Sequence, residues 1–385
     1  MRGLLLIFLV LLPVSAQAWT EAEREQILSF GPWPPEAARD SSNRLSGNPA
    51  AIALGAALFS ETRLSPGGIA CISCHQPQKG WGDGLARSKG MQQLDRNAPS
   101  VMNAHLSRWF GWDGASDSLW AASIRPILDE REMASSAERV AATIRSDAAL
   151  TCQFEKVAGT APQHLVDEAV MVLGAKAIAA FQETLTSGRT PFDDYRDALA
   201  RGENAPYPEA AKRGLKIFLD SACAACHTGP SFSNGEFHDT GLPYFMQNGR
   251  PDPGRYEGIK RVRANPYNRL SRYSDDPDSG FTVRHVALLH RNWGEFKTPS
   301  LRNLRHTAPY MHDGSKATLI EVIRHYSELD EDRLHVDGEA ILRPLRLDEA
   351  SIRDLAVFLE TLSASNVPDA ASLERWAEEA RKCRK

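Results

Sequence analysis

Beyond its first residues the chain lacks an apolar run long enough to cross a bilayer, which takes about 20 consecutive residues. It has no basic stretch and no large excess of either charge: 45 Lys and Arg against 49 Asp and Glu leave a net −4. A polyanion such as nucleic acid therefore has no electrostatic footprint to bind. Stable membrane insertion is not expected either. No segment alternates convincingly enough to predict a sheet. The one early apolar run, Leu4 to Leu12, follows Met1-Arg2-Gly3 and precedes the small-residue pattern Ala16-Gln17-Ala18. Residues 1–18 thus read as a secretory signal, too short for a membrane anchor, and the expected location is the periplasm.

Cysteine is scarce, six in 385 residues, and four of the six fall in two copies of one pattern. Cys71-Ile72-Ser73-Cys74-His75 recurs as Cys223-Ala224-Ala225-Cys226-His227. Two cysteines three apart with histidine next is the spacing that attaches a c-type haem. The thiols bond to the porphyrin's vinyl groups and the imidazole reaches the iron from one face. A zinc site or a redox dithiol can also begin C-x-x-C, but neither needs the adjacent histidine. Two covalently bound haem c groups are expected. Cys152 and Cys383 remain, either as a pair in an oxidising compartment or as two free thiols.

The chain is long enough for two domains, and a polar connector over Gly202–Pro208 sets the expected boundary, 19–205 and 206–385. Residues 19–47 read as an irregular lead-in, broken by Gly31-Pro32-Trp33-Pro34-Pro35. Helices are expected over Asn48–Phe59, Glu138–Arg145, His164–Leu185 and Pro208–Leu219. Another is expected over Leu347–Leu362, with Asp348 as N-cap. Residues 247–280 show little periodicity and read as a long loop. Gly-x-x-(Leu/Ile)-Phe precedes each C-x-x-C-H unit, at Gly55 and at Gly214. The fold class is therefore mainly α, with two cytochrome c-like domains related by duplication.

With both haem motifs in place, the chain resembles the bacterial di-haem cytochrome c peroxidase and MauG superfamily over nearly its whole mature length. Further markers are Arg96-Asn97-Ala98-Pro99, Trp112-Asp113-Gly114, Pro126 with Glu132-Met133, Phe296-Lys297-Thr298-Pro299-Ser300-Leu301-Arg302-Asn303 and Thr307-Ala308-Pro309-Tyr310-Met311-His312-Asp313-Gly314. Each is weak alone; in this order they are specific. The resemblance implies a peroxidase whose first haem, on His75, meets hydrogen peroxide. No histidine lies between Gln76 and Pro99 to close its other face, and His105 is the outlying rival.

By the same resemblance Glu132 is the acid–base group for O–O cleavage. Unaided, it would read as a solvated charge within Asp129-Glu130-Arg131-Glu132. A distal glutamine common in relatives would fall at Ala122 and is missing. Trp112 is the residue placed to pass electrons between the haems, while Trp109 and Trp120 are expected to be core. Opposite His227 the matching ligand is Tyr326, as in MauG-like members, where typical peroxidases have methionine. His325 is the alternative, because neighbouring helical residues point about 100° apart and only one can face the iron. Calcium is implied at Asn97, through its amide oxygen, and at the carbonyls of Thr307 and Pro309. The tryptophan through which MauG oxidises its protein substrate is replaced here by Ser221, so a different electron-donor protein or oxidisable protein substrate is expected. The alternatives are a conventional peroxidase fed by a small electron carrier, and a di-haem carrier without peroxide chemistry.

Overall fold

The structure, a computed structural model, describes residues 19–36, 39–203, 205–242, 245–331 and 341–383. The expected leader, residues 1–18, lies outside them. The chain is mainly helical, and among the described residues no helix is long and apolar enough to cross a membrane.

Two helix pairs carry the architecture. Pro49–Phe59 packs against Asp167–Gln182, and Glu209–Asp220 packs against Glu349–Glu360. Each pair meets at a glycine. A Cβ on Gly55 would lie 2.0 Å from the Ala177 carbonyl oxygen, and one on Gly214 would lie 2.0 Å from that of Asp354. Alanine at either site gains about 1 kcal/mol of helix propensity. Forcing the helices apart costs about 1–3 kcal/mol. We therefore expect Gly55→Ala and Gly214→Ala each to lower the urea midpoint of unfolding; an unchanged or raised midpoint would refute the close packing.

The expected helices form with small changes at their ends. Asn48 caps the first through the amides of Ala50 and Ala51. Asp348 caps Glu349–Glu360 through Ser351, and Ile352, Leu355, Leu359 and Leu362 are buried. The third begins only at Asp167, which leaves Val166 exposed at its N-cap. Trp109 and Trp120 are buried as expected.

Three expectations are corrected. The lead-in contains a helix, Glu21–Leu28, closed by a reciprocal capping box between Thr20 and Glu23. Residues 247–280 are not one loop: Arg255–Ala264 is helical, and Pro277–Gly280 forms a 3-10 turn. A small antiparallel sheet is present, Phe237–Asp239 against Glu295–Lys297, with Phe237 opposite Lys297 and Asp239 opposite Glu295.

Core membership crosses the Gly202–Pro208 connector in both directions. Ile27, Phe30 and Phe192 join the second core, around Phe218, Phe232 and Phe358. Leu373 and Ala377 of the last helix, Ala370–Arg381, join the first core, around Phe59, Trp81 and Phe181. Cys383 is buried just beyond that helix and is bonded to Cys152. The tail is thereby tied to helix Ala148–Ala158.

Candidate haem-binding and redox site

Each C-x-x-C segment makes one helical turn, Cys71–Cys74 and Cys223–Cys226, and its histidine follows as the cap. The His75 Nδ1 lies 3.1 Å from the Trp81 carbonyl oxygen, and the His227 Nδ1 lies 2.9 Å from that of Phe232. A carbonyl can only accept, so Nδ1 carries the proton and Nε2 is the nitrogen available to a metal. Burial depresses both imidazoles, His227 to about 4, and keeps them neutral. Burial also pushes the Cys71 thiol up to about 12 and Cys223 up to about 11. A redox dithiol needs the opposite shift. Among the described residues, no group of three or more His, Cys, Asp or Glu is gathered as a zinc site would require. Oriented neutral imidazoles beside paired, unactivated thiols fit covalently attached haem.

Glu132 lies on the turn after helix Leu119–Leu128, its backbone held by a hydrogen bond from the Met91 amide to its carbonyl, 2.9 Å. Its carboxylate pairs with Arg125, and that pairing holds the guanidinium firmly protonated. The Cys74 Sγ lies 3.8 Å from the Lys89 carbonyl oxygen, and the next two residues, Gly90 and Met91, meet the Glu132 backbone, which sets Glu132 near the first motif. Sequence reasoning missed Arg125. It lies one turn before the end of its helix, and no spacing rule links it to Glu132.

Trp112 donates from Nε1 to the Asn97 carbonyl at 2.9 Å, and its ring meets His312 edge-on at 6.5 Å. The His312 ring stacks on Phe296 at 3.5 Å. Arg96 anchors the same region by bonding both carboxylate oxygens of Asp252, 2.7 and 2.6 Å, and pairing with Asp113 at 2.8 Å. Asn97 sends its amide nitrogen to the Leu85 carbonyl at 2.7 Å, while its backbone amide donates to His312. The loop after the first motif approaches the segment before Pro309 so closely that a Cβ on Gly80 would lie 2.4 Å from the His306 carbonyl oxygen. Asn97 and the 306–312 segment are therefore brought together, with Trp112 against them.

At the second motif, helix Leu319–Ser327 starts from a Thr318–Glu321 capping box and carries both ligand candidates. The His325 Nε2 lies 2.9 Å from the Thr240 carbonyl oxygen. Burial pushes the Tyr326 phenol up, and the nearby Cys223 and Cys226 add to that shift in the same direction. His105 sits on a 3-10 turn, Ala104–Leu106, and its Nδ1 has no hydrogen-bond partner among the described residues.

A family described as di-haem cytochrome c peroxidase matches residues 49–201. The methylamine utilization protein MauG of Methylorubrum extorquens is 36% identical over 324 residues, covering 82% of this chain and 79% of that protein. The cytochrome-c peroxidase IdrP2 of Pseudomonas sp. (strain SCT) is 34% identical over 360 residues, 91% of this chain and 89% of its own. A solved MauG-like protein associated with microbial copper homeostasis superposes with a TM-score of 0.66 at 26% identity, covering 92% of this chain and 97% of that one.

Proposed function

The chain belongs to the di-haem cytochrome c peroxidase and MauG family, whose members imply two haem c groups, peroxide as substrate and a redox partner; from that premise we propose an exported peroxidase of the MauG-like kind. When bound, the haems would supply the redox chemistry, taking oxidising equivalents from hydrogen peroxide and passing them on. His75 and His227 would hold the two irons through Nε2. Glu132, fixed by Arg125, moves a proton between the two peroxide oxygens while their bond polarises. Trp112, in contact with Asn97 and His312, is the oxidisable ring between the two sites. Asn97, Thr307 and Pro309 would offer oxygen atoms to calcium, which suits a cation that takes carbonyl and amide ligands. Ser221 cannot be oxidised as a tryptophan can, so equivalents leave to an electron-donor protein or protein residue by another exit. The residue 1–18 pattern supports export to the periplasm.

The observation that carries this reading is the unequal pairing of equivalent helices. Asn103 and Asn303 share a left-handed backbone, and the bridges Phe110–Ser116 and Tyr310–Lys316 match. Ser118 and Thr318 cap helices that start at Leu119 and Leu319. These correspondences support duplication, with 19–205 and 206–385 as its two halves. The same constant offset sets Tyr326 opposite Pro126. Proline offers no side-chain donor atom to iron. One helix would thus offer a phenol to a haem where its counterpart carries a proline. A bound cation reverses the effect of burial and favours the phenolate. His325 is already spent on Thr240.

We expect peroxide to produce an optical change in the wild type that outlasts that in Tyr326→Phe by about tenfold or more, equivalent to about 1.4 kcal/mol. Stopped-flow spectra would show it. Equal lifetimes would remove Tyr326 as the ligand. Fast oxidation of reduced cytochrome c, undisturbed in Tyr326→Met, would favour the conventional peroxidase.

A further inference from the structure

Behind each proximal histidine stands one bulky aromatic residue in a left-handed backbone: Trp81 at φ 64° and Phe232 at φ 50°, both fully buried. That region is unfavourable for a large L-residue and persists only where the surroundings enforce it. Here each such residue supplies the carbonyl that accepts from Nδ1 of His75 or His227. Each therefore needs a brace, and the two braces differ.

Phe232 is braced by rings, with the Arg302 guanidinium 5.7 Å from the centre of its own ring. Phe30, from the N-terminal segment, stacks on it at 4.6 Å and 7°, and Phe192 meets it edge-on at 5.2 Å. Trp81 packs on Phe59 and Phe181, and it also donates from its indole Nε1 to the Pro368 carbonyl at 2.8 Å. Pro368 precedes Asp369, the N-cap of helix Ala370–Arg381. That helix lies on Pro49–Phe59 and Ala148–Ala158, and the Cys152–Cys383 bond ties down its far end. The C-terminal segment thus reaches from the second half of the chain to the residue that orients the first proximal imidazole.

We propose that residues 363–383 form a positioning strap for His75. Pro368 holds Trp81, Trp81 sets the hydrogen bond from the His75 Nδ1, and the Cys152–Cys383 bond keeps the strap seated. A stronger acceptor at Nδ1 makes the imidazole a more basic ligand, which stabilises oxidised iron. The strap therefore favours the oxidised first haem and leaves the second, braced by Phe30, untouched. Opening the bridge consumes two electrons and two protons from a dithiol, which becomes its own disulfide, and yields two thiols at Cys152 and Cys383. An oxidising compartment keeps it closed. The inference rests on His75 as a haem ligand and goes beyond the reading of Glu132, Trp112 and Tyr326.

The test uses the full-length protein carrying both haems, with Trp81→Phe, the double variant Cys152→Ser/Cys383→Ser, and Phe30→Leu. Trp81→Phe keeps an aromatic ring and removes the indole donor; the double variant keeps Trp81 and frees the strap. Potentials of the two haems are read separately by spectroelectrochemistry, and the iron–histidine stretch of the reduced first haem by resonance Raman. The strap variants should raise the first haem's potential and lower its stretching frequency, with the larger shift in Trp81→Phe. The second haem's potential should hold in both, and Phe30→Leu should shift the second haem alone. Unshifted first-haem values in both strap variants, with two haems bound, would overturn the proposal and leave the strap merely structural. If Trp81→Phe fails to fold, the double variant decides alone. Wild-type protein without haem at Cys71 and Cys74 would instead overturn the assignment of His75.

Discussion

Replacing Glu132 by glutamine should slow peroxide-dependent turnover by about 10²-fold or more, the usual contribution of a positioned acid–base group. Haem content and the resting spectrum should not change. The substitution keeps side-chain size and an oxygen for Arg125, and removes only the capacity to take and return a proton. The surroundings make it a clean test, because the backbone at this turn is held independently of the carboxylate. The Glu132 amide bonds to Asp129 at 3.1 Å, the Met133 amide bonds to Pro126 at 3.1 Å, and Ser65 donates to the Met133 carbonyl at 2.7 Å. Gly90 lies against the same backbone, where a Cβ would come within 2.6 Å of the Glu132 Cα. Exposed Glu130, two residues away, serves as the control, and Glu130→Gln should leave the rate as it is. A Glu132→Gln rate equal to that of the wild type would remove the acid–base assignment and leave the residue as a partner for Arg125.

What could be read in advance follows from how local each feature is. Haem attachment needs two thiols and an imidazole within five residues, so Cys71–His75 and Cys223–His227 were legible without a fold. Helices with an apolar stripe and a side-chain cap, such as Glu349–Glu360 behind Asp348, were legible too. Helix Glu21–Leu28 buries only Ile27, so it carries almost no stripe. Its signal was the Thr20–Glu23 capping box, which sequence reasoning passed over. Helix Arg255–Ala264 is hidden for another reason: it buries an arginine. The Arg255 guanidinium lies 4.1 Å from the Trp109 ring and 3.9 Å from that of Phe237, and burial lowers its pKa to about 10. No apolar period announces such a face. The Cys152–Cys383 pairing, the Arg125–Glu132 contact and the Trp81–Pro368 bond depend on segments that meet only after folding. Glu132, Trp112 and Tyr326 came from family resemblance; their spacing alone would have left them as ordinary surface and core residues.

The largest stability effect should fall on Arg302. Its guanidinium bonds both oxygens of Asp193, at 3.0 and 2.8 Å, with side-chain exposures of 0% and 2%. It also lies 3.7 Å from the Trp33 ring and donates from Nε to the Pro230 carbonyl. Arg302→Met would leave the Asp193 carboxylate buried without its counter-charge, a loss of about 3–5 kcal/mol. The pair Arg213–Asp354 has similar two-pronged geometry, 2.6 and 2.9 Å, but Arg213 is 61% exposed. Water already solvates that pair, so Arg213→Met should move the urea midpoint far less than Arg302→Met. Urea unfolding of the two variants compares the same chemistry at two depths. Asp193 also caps helix Pro191–Ala200 by accepting from Thr190, so its own substitution removes a cap as well as a charge. The informative partner is therefore Asp193→Asn, which keeps an oxygen for Thr190. Arg302→Met/Asp193→Asn should be more stable than Arg302→Met, because the orphaned charge is gone; the reverse order would show that desolvated charge is not the cause. Pro230 begins the turn that carries Phe232 to His227. Arg302→Met should therefore also reduce haem incorporation at Cys223 and Cys226 while sparing Cys71 and Cys74, a difference that peptide mass analysis of the purified variant would resolve.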